Sequence, residues 1–277
     1  MPELPEVETI KRELKPVIVN KRITEIKIVR SDIIGYPSVR AFKKGVIGKR
    51  ITNLTRKAKY LIFDLDNNHQ IIVHLRLSGK LLVWQNTTNA PKHERIRFYL
   101  SGKTILSFVE PRMLGRVYLV PKDNYPDVLN GLKELGLEPI DRKFNYNYLS
   151  SKLKNRKATI KSLLLNQSIT AGVGNIYSDE ALFLAGIHPL RRANTLTDSE
   201  IEKLTNSLRD VIQIGIKSKG TTVSDYLRPN GKEGRYQFRS FVFDREGEPC
   251  RICKTKIEFV KIGNRRTRFC PKCQPDK

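Results

Sequence analysis

No cysteine precedes Cys250 in this 277-residue chain, and all four that occur lie close to its end. A disulfide framework therefore cannot staple the body of the chain. Long apolar runs are also missing. None approaches the roughly 18 to 20 residues needed to span a bilayer, so a membrane-spanning role is not expected. The first residues carry no cationic segment followed by an apolar one, so secretion is not expected either. In a reducing cytoplasm the four cysteines would not form disulfides. Internal repeats and low-complexity tracts are absent. Acidic residues are scarce beside basic ones, 28 Asp and Glu against 52 Lys and Arg, for a net charge of +24 and a pI near 10.0. An excess of that size implies a polyanionic partner, nucleic acid or an anionic surface.

What is present suffices for a folded protein. Apolar residues make up 39%, and the length allows two domains. From Glu6 to Val17, the positions Val7, Ile10, Leu14 and Val17 follow the three-and-four spacing of one helix face. RITEIKIV, KYLIFDL, QIIVHLRL, ERIRFYL and TILSF are short, β-rich stretches separated by turn-like DNN, SGK and GKR. They predict a β-sandwich or barrel led by one helix and ending near Val120. PKDNYPDVLNGL reads as a linker. Beyond it the period becomes helical, in KATIKSLLLNQ, NIYSDEALFLAG and TDSEIEKLTNSLRDVIQIGI, the last opening with Thr197 and Glu200 at capping-box spacing. A glycine- and arginine-rich segment, 217–240, leads to the cysteines.

CRIC at 250–253 and CPKC at 270–273 are separated by sixteen residues. Two such knuckles bring Cys250, Cys253, Cys270 and Cys273 within tetrahedral reach of one ion, the arrangement of structural zinc. Four thiolates close the coordination shell, so the metal would be structural. Eight basic residues and one acid, Glu258, lie from Cys250 to Cys273, which suits a nucleic-acid backbone. AGVGN, between two helical patterns, allows two readings. It is a phosphate seat at a helix N-terminus, with Asn175 as an added donor, or a plain packing corner between helices.

MPELPEVET at the start, RKAKY at 56–60, GVGNIY at 172–177 and the paired CxxC knuckles occur in that order. Together they resemble the bacterial formamidopyrimidine-DNA glycosylase family, whose members excise oxidised purines and nick the strand. The resemblance spans the whole chain. It implies an α+β, multidomain fold: an N-terminal helix plus β-sandwich domain (1–125), a linker (126–136), a helical domain with a helix-two-turn-helix and a lesion loop (137–240), and a four-cysteine zinc finger (241–277).

The resemblance also explains the acidic, proline-spaced start. Removal of Met1 would leave Pro2 with a free secondary amine. An α-amine of pKa about 7.7 to 8.0 is roughly a quarter neutral near pH 7.4, against about a thousandth for lysine. Only the neutral form attacks carbon, so Pro2 would attack C1′ of the damaged nucleotide and form an iminium, with β- and δ-elimination to follow. Glu3 would transfer protons during ring opening and elimination, and Glu6 would share the site. The plain alternative is that these acids only favour a helix N-terminus. Lys59 matches the hairpin lysine that grips the phosphate beside the lesion. His74 and His93 match backbone contacts, Lys157 and Asn175 match phosphate contacts, and Arg265 matches the zinc-finger arginine. A base inside a duplex must be extruded to be reached, so Leu77 and Leu114 would fill the void while Arg112 reads the orphaned base.

Three positions depart from the family pattern: Leu77 where methionine is common, Leu114 for phenylalanine, and Asp244 for glycine. The expected partner is double-stranded DNA containing oxidised purines, the expected cofactor one structural Zn2+, and the expected state a monomer in the bacterial cytoplasm without a membrane partner. Two other readings remain: an endonuclease VIII-like enzyme for oxidised pyrimidines, and a non-enzymatic zinc-ribbon nucleic-acid binder. The second leaves the PELPE start idle.

Overall fold

The computed structural model describes residues 2–85, 89–122, 124–223 and 225–276. The chain separates into two compact units, Met1–Lys133 with Lys219–Gly234, and Glu134–Ser218 with Arg235–Lys277.

The first unit opens with α1 (Leu4–Ile18). It begins earlier than the spacing predicts, because Pro5 falls in the first turn, where no amide hydrogen is needed. Its buried face ends on Ile18, while Val17 is only half-buried. Next come β1 (Ile23–Ile28), β2 (Ile34–Tyr36), α2 (Val39–Val46), β3 (Ile51–Lys57), β4 (Tyr60–Leu65), β5 (His69–His74), β6 (Lys80–Gln85), β7 (Glu94–Leu100), β8 (Thr104–Val109), β9 (Arg116–Pro121) and the short α3 (Asn130–Lys133). One sheet has the order β1-β7-β8-β6 and the other β2-β9-β5-β4-β3, antiparallel except for the β2–β9 pair. Their inner faces close on one core. Ile26, Phe98, Leu106 and Leu81 come from the first sheet, and Leu54, Phe63, Ile71 and Leu119 from the second, with Val7, Ile10 and Leu14 of α1 and Phe42 of α2. This is the expected sandwich led by a helix. β3 escapes the alternation rule because a bulge between Ile51 and Asn53 breaks its period of two.

The strand register decides where the loops gather. Lys57 pairs with Tyr60, so Ala58 and Lys59 form the β3–β4 turn. Tyr60 pairs with His74, and His74 with Arg116. Lys80 and Glu94 both pair with Val109. The turn at Lys59, the sheet-crossing loops 75–79 and 110–115, and His93 therefore collect at one end of the sandwich.

In the second unit, α4 (Tyr146–Leu153), α5 (Ile160–Leu165), α6 (Asn175–Ala185) and α7 (Asp198–Lys217) precede a hairpin of β10 (Glu258–Ile262) and β11 (Arg265–Phe269). The capping box of α7 forms as expected: Thr197 Oγ1 accepts the Glu200 N–H at 3.2 Å, and Glu200 Oε2 accepts the Thr197 N–H at 2.9 Å. Among the described residues, no helix is long and apolar enough to cross a membrane.

Candidate active site and nucleic-acid interface

Pro2, Glu3 and Glu6 are buried together at the head of α1. Glu6 fastens the turn at both ends. Its Oε2 accepts the Glu3 N–H at 2.8 Å, and its Oε1 accepts the Thr221 N–H at 2.7 Å. Segment 219–234 thus returns to the start of the chain, and Arg228 reaches Glu13 of α1 at 2.6 Å. The spacing of Glu3 and Glu6 explains why they share a turn, but nothing in the sequence announces Thr221 as a partner.

Lys59, largely buried, sits in the β3–β4 turn beside Ala58, whose φ is 49°. Two residues that lie in the quoted motifs but were given no role there join this turn to α1. Arg56 donates to Glu8 at 2.9 Å and to the Ala58 carbonyl at 2.9 Å. Burial alone would raise the Glu8 carboxyl; hydrogen bonds from Lys11, Arg56 and Arg12 outweigh it and hold the pKa at about 2. A buried carboxylate thereby fixes the lysine-bearing turn against the helix that begins at the proline.

His74, at the end of β5, packs edge-on to Tyr60 with ring centroids 4.5 Å apart. Burial first, then the positive charges of Arg76 and Lys59, pull its pKa down to about 3. Its Nδ1 accepts the Arg76 N–H at 3.1 Å. The neutral ring therefore carries its proton on Nε2, which is left as a hydrogen-bond donor suited to a phosphate oxygen. His93 is exposed before β7. Leu77 and Leu114 are 41% and 43% exposed, so neither is a core residue of the sandwich. Arg112 is also exposed, and its guanidinium meets Asp225 at 3.2 Å.

In the second unit, Gly174 caps α6 and Asn175 is its first residue. The Asn175 amide donates to the Arg266 carbonyl at 2.9 Å, which joins the helix start to the strand bearing the exposed Arg265. Lys157 is exposed ahead of α5. Sequence reasoning missed the fastening beneath these residues. Lys161, fully buried, pairs with Asp179 and donates to the Asn175 carbonyl at 3.0 Å, while Asp179 accepts the Arg268 N–H at 3.1 Å. Glu180 accepts the backbone N–H groups of Phe241, Val242 and Phe243 at 2.8 to 2.9 Å. Adjacent acids in a buried helix were the available signal, since such groups stay buried only when paired.

The four cysteine sulfurs lie within 4.8 Å of one another, with Cys250–Cys273 at 3.9 Å and Cys253–Cys270 at 3.4 Å. A tetrahedral zinc with bonds of about 2.3 Å needs sulfurs about 3.8 Å apart, so the donor set and its spacing fit that ion. The Ile252 and Cys273 N–H groups point at Cys250 Sγ and Cys270 Sγ, as ligated thiolates require.

Comparison with known proteins agrees with this architecture. Residues 1–117 match the formamidopyrimidine-DNA glycosylase N-terminal domain, 135–226 its H2TH domain, and 247–275 the zinc finger found in FPG and IleRS. The chain is 42% identical, over the full length of both proteins, to the formamidopyrimidine-DNA glycosylase of Pelotomaculum thermopropionicum. A mutant FPG of Lactococcus lactis, crystallised with Fapy-dG containing DNA, superposes with a TM-score of 0.92 at 34% identity, covering 99% of this chain and 100% of that one. MutM in complex with carbocyclic 8-oxo-G containing DNA gives a TM-score of 0.91 at 36% identity, covering 99% and 100%. With all three family domains matched in order and a full-length relative well above 30% identity, the chain belongs to the formamidopyrimidine-DNA glycosylase family.

Proposed function

We propose that this chain excises oxidised purines, 8-oxoguanine and formamidopyrimidines, from duplex DNA and then cleaves the strand, with Pro2 as the nucleophile. After loss of Met1, the Pro2 nitrogen attacks C1′, the C1′–N9 bond breaks, and the base leaves with a proton. The C1′–O4′ bond then breaks as O4′ takes up a proton, the sugar ring opens, and the resulting iminium acidifies the C2′ hydrogen. Its removal expels the 3′ phosphate, and a second elimination expels the 5′ phosphate. Glu3, buried beside Pro2, moves protons during ring opening and elimination. Lys59 grips the phosphate next to the lesion, and His74, His93, Lys157, Asn175 and Arg265 contact the backbone. Leu77 and Leu114 fill the space left by the extruded base, and Arg112 reads its former partner. One zinc, held by Cys250, Cys253, Cys270 and Cys273, supplies structure to the hairpin and takes no part in the reaction. The enzyme acts as a monomer on DNA in the bacterial cytoplasm.

The observation that carries the reading is the junction at the head of α1. Pro2, Glu3 and Glu6 lie on one turn, and the Glu8–Arg56 pair ties that turn to Lys59. A nucleic-acid binder without chemistry has no use for it. Borohydride trapping on an 8-oxoguanine:C duplex should leave a covalent adduct that maps to Pro2. A protein that still carries Met1 or a tag should give none, because an amide nitrogen is not a nucleophile. Absence of any adduct would favour the binder, and preferential excision from thymine glycol duplexes would favour the pyrimidine enzyme.

A further inference from the structure

Loops 75–79 and 110–115, which cross between the sheets, share one side chain. Glu110 is fully buried. Its Oε1 accepts the Ser78 hydroxyl from the first loop and the Arg112 N–H, at 3.0 Å, from the second; its Oε2 accepts the Gly115 N–H at 3.0 Å. The backbone of Glu110 is engaged as well. Its N–H donates to the His93 carbonyl at 3.0 Å, and its own carbonyl accepts Arg95 Nε at 2.8 Å.

Both loops close on this carboxylate at a glycine. A Cβ on Gly79 would lie 3.2 Å from Glu110 Oε2, and one on Gly115 only 2.8 Å from it. Each loop also holds a non-glycine residue in left-handed backbone, Arg76 at φ 54° and Met113 at φ 58°. Such conformations persist only where the surroundings over-determine them. Leu77 lies in the first loop, and Arg112 and Leu114 in the second.

Resting on the reading that these three residues fill the void and read the orphaned base, we propose that Glu110 is the positioning residue that fixes both loops as a single reader of the strand opposite the lesion. A carboxylate suits this place because it accepts only, and all three groups that meet it donate. Glutamine has the same shape but a single acceptor oxygen. If that oxygen faces Ser78 and Arg112, the amide group opposes the Gly115 N–H; if it faces Gly115, the amide opposes the Arg112 N–H. Either way the arginine-bearing loop loses a bond and gains a clash of donors.

The test is single-turnover excision of 8-oxoguanine opposite C and opposite A, for wild type, Arg112→Ala, Glu110→Gln and Ser78→Ala. Each rate is normalised to borohydride trapping on a single-stranded abasic oligonucleotide, which has no opposing base. Glu110→Gln should lower the C-over-A ratio by roughly tenfold, the size expected for loss of a bidentate base contact and hence for Arg112→Ala. A wild-type ratio in Glu110→Gln, or a fall in all activities in step with melting temperature, would overturn the proposal. Should Glu110→Gln fail to fold, Ser78→Ala decides. It releases only the Leu77 loop, so slower normalised excision opposite both bases is expected, and unchanged excision would overturn the proposal. Failure of the functional reading looks different: the wild type itself then excises no oxidised purine, and the proposal falls with it.

Discussion

In the N-terminal unit, the residues assigned to chemistry and base reading hang from a two-sheet core to which α1, α2 and eight strands contribute. In the C-terminal unit, the hairpin that bears Arg265 rests on little more than Phe183, Val242, Ile257 and two cysteines. Yet both units use the same fastener. In a chain with 28 acids against 52 bases, several of the buried acids hold a segment assigned to function: Glu6, Glu8 and Glu110 in one unit, Asp179 and Glu180 in the other. Carboxylates can gather several backbone or guanidinium donors at once, which an apolar side chain cannot. The difference lies in what stands behind the acid. The sandwich has enough apolar burial to tolerate loss of one fastener, whereas the hairpin, with so small a core, should depend on the metal its four cysteines could hold.

The largest contrast should therefore appear on metal removal. Structural zinc contributes on the order of 10 kcal/mol to such small modules. Cys253→Ser or chelation should unfold the hairpin and abolish tight DNA binding while the sandwich melts as before. Metal analysis beside calorimetry checks this, and a zinc-free wild type would end the comparison.

Lys161→Met comes next. It leaves the Asp179 carboxylate buried without its cation, at a cost of about 3 to 5 kcal/mol in denaturant unfolding. Glu8 is the matching probe in the first unit. Its folded pKa is depressed from 4.5 to about 2, so its contribution is fully present above pH 4.5 and lost as the pH falls towards 2. The stabilisation lost is up to about 3 kcal/mol. Glu8→Gln should flatten that part of the acid unfolding curve. A curve of wild-type shape would show that the pair does not hold the Lys59 turn.

His74 sharpens the comparison by its silence. Because its folded pKa is near 3, it stays neutral through the physiological range, and His74→Ala should weaken DNA binding by the same factor at pH 6 and pH 8. Its burial contributes stability above pH 6.5 that is lost as the pH falls towards 3. A wild-type affinity inflection near pH 6.5 that vanishes in His74→Ala would contradict this. The smallest effects concern salt. Lys59→Ala in one unit and Arg265→Ala in the other should each flatten the log–log salt dependence of binding by about one unit. Unchanged slopes in both would mean that neither side chain meets a phosphate.

Sequence alone was enough wherever the determining residues lie within a few positions of one another. The face of α1, the capping box of Thr197 and Glu200, the two CxxC knuckles and the proximity of Glu3 to Glu6 all follow from local spacing, because helix geometry and metal coordination act over short stretches of chain. The irregular strand β3 stayed hidden, since a bulge erases the alternation that marks a strand. Only the tertiary structure could join Thr221 to Glu6, 215 residues apart, or Arg56 to Glu8, 48 apart, or set Ser78, Arg112 and Gly115 around one carboxylate. Those contacts depend on strand register and on the packing of two sheets. A shift of one residue in the register of β3 would turn Arg56 to the opposite face, and no local pattern records that choice.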